Sequence, residues 1–169
     1  MKQLFSQTDI SERVRQLAGE IDQAYPKDAP LVAIGILKGS FIFMADLVRA
    51  MDRDVTLDFI ALSSYGDATE TTGVVRLLKD LDVDIKGKDV IIVEDIVDTG
   101  LTLEYLRHYL QQRDPKSVRI ATLLDKVSRR QVEMTIDYVG FEIEDGFVVG
   151  YGIDYAQQYR NLPWIGIIE

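Results

Sequence analysis

The sequence contains no cysteine and a single histidine, His108. Disulfides and thiolate metal sites are therefore excluded, and so is a metal centre built from several histidines. No stretch reaches the roughly 18 to 20 consecutive apolar residues that cross a membrane, and the opening segment lacks the apolar core of a signal peptide. These absences predict a soluble protein of a reducing compartment, namely the cytoplasm.

Basic residues are also scarce relative to acidic ones. The chain has 19 lysines and arginines against 28 aspartates and glutamates, which gives a formal net charge of -9. A nucleic-acid-binding protein needs a basic face to neutralise phosphates, so this balance argues against one. A small anionic ligand remains compatible, because backbone amides and metal ions can bind phosphate on an acidic protein.

Short apolar runs alternate with amphipathic segments along the chain. No repeat or linker divides the 169 residues, of which 47% are hydrophobic, so we expect one domain over residues 1–169. Strands are predicted over residues 31–37, 55–62, 74–78, 89–95 and 117–124. Helices are predicted from Asp9, which would cap the first one, and over residues 41–51 and 102–113. The alternation predicts an α/β fold whose mainly parallel sheet binds ligands at the carboxyl ends of its strands.

The segment VIIVEDIVDTGLTL, residues 90–103, runs from a predicted strand through a turn into a helix. Glu94 and Asp95 stand where the strand is expected to end, and Asp98 follows inside the turn. Backbone amides at the start of the helix can cradle an anion, and the helix dipole helps. Acids beside such a cradle suit a sugar phosphate whose hydroxyls bind a hard cation such as Mg²⁺. The alternative is an ordinary strand, turn and helix whose acids only stabilise the dipole.

This segment resembles the phosphoribosyl-pyrophosphate motif of the type I phosphoribosyltransferases. Other segments are similar in order and spacing to the hypoxanthine-guanine members of that family: LKGSF at 37–41, SSYG at 63–66, LLDKVSRR at 123–130 and the stretch 137–163. The resemblance implies the type I phosphoribosyltransferase fold, a five-stranded, mainly parallel sheet flanked by helices. It also implies a small hood subdomain, built from the amino-terminal segment and about residues 138–159, and a flexible lid at 63–74.

Two positions depart from the family pattern. Leu101 stands where some members carry lysine, and Gly146 stands in the base-pocket loop where some carry a charged residue. The first departure affects only a side-chain contact with the phosphate, because the backbone amides that bind it remain. The second leaves the choice among purines open.

The resemblance assigns the contacts to phosphoribosyl pyrophosphate. Glu94 and Asp95 would lie near the ribose hydroxyls and their Mg²⁺, and Asp98 would lie near purine N7 as general base in one direction and acid in the other. Asp98 could instead be a turn aspartate with no chemistry, and Arg160 a surface residue stacked on a tyrosine. The other expected contacts to this substrate come from Lys38, Gly39, Thr99, Gly100, Leu101, Thr102 and Arg160. Family members are described with a cis peptide at Lys38-Gly39, and we expect one there.

The purine contacts follow from the same resemblance. Lys126 would donate a hydrogen bond to the six-oxo group, Phe147 would stack on the base, and the backbone of Val148 would meet its edge. Asp154, in the same purine-binding stretch, would hold a second Mg²⁺ on the pyrophosphate. Without the resemblance, Lys126 is a solvated lysine and residues 147–150 are core.

The remaining expectations concern the lid, the activity and the assembly. Ser64 and Tyr65 would close the lid over the reacting atoms, although a segment so rich in polar residues could simply be a disordered loop. The resemblance implies a Mg²⁺-dependent enzyme that transfers a phosphoribosyl group to hypoxanthine and guanine. The alternatives are a xanthine-preferring relative and a non-catalytic regulator that senses phosphoribosyl pyrophosphate. The family forms homodimers or homotetramers, and the helix over 41–51 is either a subunit contact or buried within the subunit.

Overall fold

A six-stranded sheet forms the centre of the computed structural model, which describes residues 1–64 and 75–168. Its strands are β2 (Leu31–Leu37), β3 (Thr56–Ser64), β4 (Val75–Lys79), β5 (Asp89–Val97), β6 (Ser117–Asp125) and β7 (Tyr138–Glu142). They lie in the order β4-β3-β2-β5-β6-β7. Neighbouring strands pair in parallel throughout the run β3-β2-β5-β6-β7. Strand β4 pairs antiparallel to β3 at one edge. The two central strands, β2 and β5, are almost wholly buried apolar runs, as expected for strands covered on both faces.

Three helices cover the two faces of this sheet: α1 (Gln7–Ala24), α2 (Phe41–Ala50) and α3 (Leu101–Gln111). The apolar faces of α1 and α2 share one core cluster with the sheet, whereas α3 packs into a second cluster on the opposite face. The apolar residues of α2 are thus largely buried within the subunit, although Phe41 remains 44% exposed. The cap of α1 is Ser6, which forms a capping box with Asp9, so the expectation that Asp9 itself caps the helix was wrong.

A second, three-stranded sheet brings the two ends of the chain together. It consists of β1 (Lys2–Phe5), β9 (Ile165–Ile168) and β8 (Phe147–Val149), in that order and antiparallel. Phe5 of β1 stacks on Phe141 of β7, with ring centroids 4.0 Å apart, and so joins the small sheet to the large one. Strands β1 and β8 come from the segments of the expected hood, whereas β9 does not, and the hood itself stays a prediction.

The expected hood segment over residues 138–159 divides between the two sheets. Tyr138–Glu142 forms β7 at the edge of the large sheet, which therefore has six strands, one more than expected. The close approach of β7 to β6 explains the miss: a Cβ on Gly140 would overlap the carbonyl oxygen of Leu123. A glycine that the pairing requires weakens the strand signal in the sequence.

Two local features also differ from the sequence expectations. Strand β5 continues to Val97, so Glu94 and Asp95 lie within the strand, where ladder pairing with β6 carries it past the acids. The cis peptide bond joins Leu37 to Lys38, at the end of β2, so the expected position at Lys38-Gly39 was wrong by one bond. Among the described residues, no helix combines the length and apolar character that crossing a membrane requires.

Candidate active site

The predicted site segments meet at the carboxyl ends of the parallel strands. Lys126, directly after β6, donates its backbone N–H to the carbonyl of Val97 at the end of β5, over 2.9 Å. A Cβ on Gly152 would overlap the carbonyl oxygen of Gly39, so the loops after β2 and β8 are packed against each other. Segments far apart in the sequence therefore meet at the edge of the sheet where open α/β folds bind ligands.

Glu94 and Asp95 form an adjacent carboxylate pair at this edge. Glu94 is buried, and its Oε1 accepts a 3.0 Å hydrogen bond from the Asp95 backbone N–H. Burial, together with the neighbouring Asp95 carboxylate, raises the pKa of Glu94 well above its usual range. A buried carboxyl beside a like charge is stabilised in its ionised form by a cation, so the pair is chemically suited to lie near one.

Gly39 lies directly against the Asp95 carboxylate. A side chain at position 39 would overlap the Asp95 carboxylate, so the backbone of the loop after β2 runs along the acid. Lys38 is exposed beside it, and Ser40 turns inward, where its hydroxyl donates to the carbonyl of Ile36 over 2.6 Å. This glycine therefore allows a close contact between a loop backbone and the acidic strand end.

The turn after β5 presents the start of α3. Gly100 is the N-cap, with φ of +85°, and a Cβ there would crowd the side chains of Arg130 and Val132 at 2.9 Å each. Gly100 has no side chain with which to cap this helix end, and the Leu101 N–H donates to the Thr99 hydroxyl over 3.4 Å. Leu101 and Thr102 occupy the first positions of the helix, where backbone N–H groups lack intrahelical partners and can bind an anion.

Asp98 lies in the same turn, and Arg129 holds its side chain. The Nε of Arg129 donates to Oδ1 of Asp98 over 3.1 Å. The carboxylate remains 46% exposed, so it is accessible from the solvent side of the site. Among residues 1–64 and 75–168, Arg129 is the one side chain that contacts this carboxylate, so its chemistry is compatible with proton transfer.

Lys126 is buried, contrary to the solvated lysine that composition alone would suggest. Its side chain is 9% exposed, and Nζ donates to the carbonyl of Gly146 over 2.6 Å. The Asp145 carboxylate lies 3.7 Å away. The lysine therefore points from the end of β6 toward the loop that leads into β8.

Phe147 and Val148 begin β8 with opposite environments. Phe147 is 71% exposed and meets Tyr155 edge-on, with ring centroids 6.3 Å apart. Val148 is buried in the core, while its backbone pairs with Ile167 of β9. An exposed aromatic on a rigid strand is a surface on which a flat ring can stack.

Asp154 and Arg160 lie in the loop after β8. They form a 3.1 Å ion pair, and Asp154 also accepts a 2.8 Å bond from the Gln157 backbone N–H. Arg160 donates to the carbonyl of Gly152 over 2.8 Å. The pair is mostly shielded from solvent and is held by the same loop that packs on Gly39.

Tyr65 and the Ser64 side chain fall outside the part of the chain that the structure describes, as does nearly all of the expected lid. Within residues 1–64 and 75–168, no three acidic or histidine side chains gather closely enough to hold a metal ion by themselves. A cation that keeps several waters and is bound chiefly by substrate oxygens needs only one or two carboxylates.

Sequence reasoning missed several residues that shape this site. Arg129 pairs with Asp98, and Arg130 pairs with the buried Asp125, whose pKa burial raises despite that arginine. Asp145 lies near both Lys126 and Arg129. The sequence signal for these residues was the concentration of charge in DKVSRR and EIED. Charge concentration does not show which acid forms an ion pair with which base.

Comparison with known proteins agrees with this geometry. The model of the phosphoribosyl transferase domain family matches residues 1–156. A hypoxanthine-guanine phosphoribosyltransferase of Bacillus subtilis is 48% identical over 168 residues, covering 99% of this chain and 93% of the relative. A hypoxanthine phosphoribosyltransferase of Escherichia coli is 52% identical over 165 residues, covering 96% of this chain and 92% of the relative.

A solved structure of a phosphoribosyltransferase has the same fold as this chain. The crystal structure of a hypoxanthine-guanine phosphoribosyltransferase from Bacillus anthracis superposes with a TM-score of 0.96 at 51% identity, covering 100% of this chain and 99% of the other. The α/β fold expected from the sequence is confirmed. On the strength of its fold and these relatives, the chain belongs to the phosphoribosyltransferase family.

Proposed function

We propose that this protein transfers the 5-phosphoribosyl group from phosphoribosyl pyrophosphate to hypoxanthine and guanine, forming the nucleoside monophosphate and pyrophosphate. One observation carries the proposal: the buried Lys126 and the accessible Asp98 stand at the same edge of the sheet as the start of α3, whose N-cap is Gly100. A phosphate cradle, a proton-handling acid and a fixed hydrogen-bond donor are the groups that this transfer needs. The names of the relatives support the same reaction.

The phosphoribosyl group is held by backbone and acids. The 5-phosphate binds the N–H groups from Thr99 to Thr102, where the helix dipole favours an anion, so Leu101 suffices without a lysine. The pyrophosphate contacts the loop of Lys38 and Gly39 on one side and Arg160 on the other. The two loops touch through Gly39 and Gly152, which supports a shared substrate.

The purine is held and deprotonated by the other half of the site. Lys126 donates to the six-oxo group, which excludes adenine because its six-amino group offers no acceptor there. Phe147 stacks on the ring, and the Val148 backbone meets its edge. As the purine nitrogen bonds to the anomeric carbon and the bond to pyrophosphate breaks, Asp98 takes the proton at N7.

The acids suit Mg²⁺, which supplies positive charge to offset the negative charge that builds up on the departing pyrophosphate. Glu94 and Asp95 would hold one ion beside the ribose hydroxyls, and Asp154 a second. The raised pKa of Glu94 beside Asp95 supports this assignment, since a nearby cation relieves the repulsion within the pair.

The lid of Ser64 and Tyr65, the homodimeric or homotetrameric assembly and the cytoplasmic location stay predictions. A solved structure of the hypoxanthine phosphoribosyl transferase of Trypanosoma cruzi addresses how its C-terminal region affects oligomeric state and enzymatic activity. Assembly and turnover of the present protein should therefore be measured on the same preparation. The exposed Phe41 on α2 is the apolar contact we expect in that assembly.

The test is a spectrophotometric assay with phosphoribosyl pyrophosphate and Mg²⁺, offering hypoxanthine, guanine, xanthine and adenine separately. Turnover of hypoxanthine and guanine is expected, and the Asp98→Asn variant should lose about 10² to 10⁴-fold in kcat. The Lys27→Gln variant, in an exposed ion pair, is the matched control and should keep full activity. Turnover of xanthine alone would favour the xanthine-preferring enzyme, and binding of phosphoribosyl pyrophosphate without turnover would favour a sensor.

A further inference from the structure

Arg129 stands between the proposed proton-handling acid and the purine loop. Its Nε lies 3.1 Å from Oδ1 of Asp98, and its Nη1 lies 3.8 Å from Oδ2 of Asp145. About half of each side chain is exposed, at 49% for Arg129 and 46% for Asp98. Ion pairs with this exposure contribute little to folding stability, so stability alone does not explain the arrangement.

The short turn that carries Arg129 also carries Lys126. The Arg129 backbone N–H donates to the Lys126 carbonyl over 3.0 Å, which closes the 3₁₀ turn Val127–Arg129. Backbone bonds on either side of Asp98, from Lys126 to Val97 and from Gln131 to Thr99, are each 2.9 Å long. The main chain around Asp98 is therefore clamped, and the orientation of its carboxylate is left to side-chain contacts.

The chemistry of a six-oxopurine demands a fixed orientation at this point. The six-oxo oxygen and N7 lie on one edge of the ring, so the donor at the first and the base at the second must keep a set separation. Small misplacements of a reacting group cost large factors in rate. One turn carries both Lys126 and the arginine that holds Asp98, so it can set that separation.

We propose that Arg129 is a positioning residue, which orients the Asp98 carboxylate toward N7 while Lys126 holds the six-oxo group. The inference rests on the proposed function and goes beyond it by assigning a role to a residue outside the contacts proposed for the two substrates. Asp145 serves as the second anchor of the guanidinium and ties the turn to the loop before Phe147.

The first test compares Arg129→Gln, Arg129→Lys and Lys27→Gln with the wild type in the hypoxanthine assay. Arg129→Gln should lower kcat by about 10 to 100-fold and leave the KM for phosphoribosyl pyrophosphate unchanged. Its melting temperature should stay within about 3 °C of the wild type, because the ion pair is exposed. Arg129→Lys keeps the charge and one donor, so it should recover part of the loss, and Lys27→Gln should match the wild type.

A double-mutant cycle separates positioning from a direct role. In an Asp98→Asn background, Arg129→Gln should have no further effect on residual turnover, because the group it orients is already gone. A full second loss in that background would overturn the inference. Unchanged or raised kcat in Arg129→Gln alone would also overturn it, the latter by showing that Arg129 competes with the base for Asp98. A wild type without any turnover would remove the proposed function itself, and the inference with it.

Discussion

At the scale of single residues, Asp58 on β3 shows how a buried charge is made tolerable. Its carboxylate accepts backbone N–H bonds from Phe59 at 2.7 Å, Asp82 at 2.8 Å and Val83 at 3.0 Å, and Lys79 lies 3.6 Å away. Burial acts to raise the pKa of Asp58, but these bonds and the lysine outweigh it and hold the pKa below its usual value. The side chain thereby fastens the segment between β4 and β5 to the sheet.

This arrangement predicts a pH-dependent contribution to stability. Because the folded pKa of Asp58 is lowered, its contribution is present above the unfolded pKa of about 3.9 and is lost as pH falls through the folded pKa. Asp58→Asn should lower the free energy of unfolding by about 1 to 3 kcal/mol at pH 7, and the deficit should shrink near pH 3. Urea unfolding at both pH values measures it. The exposed Asp52→Asn is the control, and a deficit independent of pH would contradict the assignment.

At the scale of elements, the loop after β2 and the end of β5 are fitted to each other through Gly39. An alanine at this position would push the Asp95 carboxylate aside. Gly39→Ala should therefore lower kcat/KM for phosphoribosyl pyrophosphate by about 10 to 100-fold, because displacement of a site group is costly. The free energy of unfolding should change little, since a side-chain rotation relieves the overlap. Steady-state kinetics and urea unfolding on the same preparation distinguish the two effects.

Gly19 supplies the matched glycine control. It lies in the interior of α1, where an added Cβ meets nothing within 4 Å. Gly19→Ala should raise the free energy of unfolding by about 0.5 to 1 kcal/mol and leave turnover unchanged. If both alanine variants lost activity alike, the loss could not be attributed to the contact between Gly39 and Asp95.

At the scale of the whole molecule, the stack of Phe5 on Phe141 joins the small sheet to the large one. The small sheet carries Phe147, and the large sheet carries Asp98 and Lys126 at its edge. Phe5→Leu should lower the free energy of unfolding by about 0.5 to 1.5 kcal/mol and raise the KM for hypoxanthine with little change for phosphoribosyl pyrophosphate. Leu4→Ala, on the same strand but 36% exposed, is the control. An equal rise in both KM values would contradict this division of the site.

Much of the fold and part of the site were predictable from local patterns. The apolar runs of β2, β5 and β6 indicate buried strands because a strand covered on both faces must be apolar throughout. The turn after β5 is recognisable because acids, a glycine and hydroxyls follow one strand in immediate succession. Functional residues that lie close together in the sequence can be recognised without the structure.

Tertiary structure alone decided the remaining features. Strand β7 pairs through Gly140 against Leu123, and the small sheet joins the two ends of the chain. The contact of Arg129 with Asp98 spans 31 positions, and no local pattern encodes which of two adjacent arginines faces the acid. The physical reason is common to these cases: side-chain packing between distant segments selects the partner, whereas periodicity records only which residues are buried.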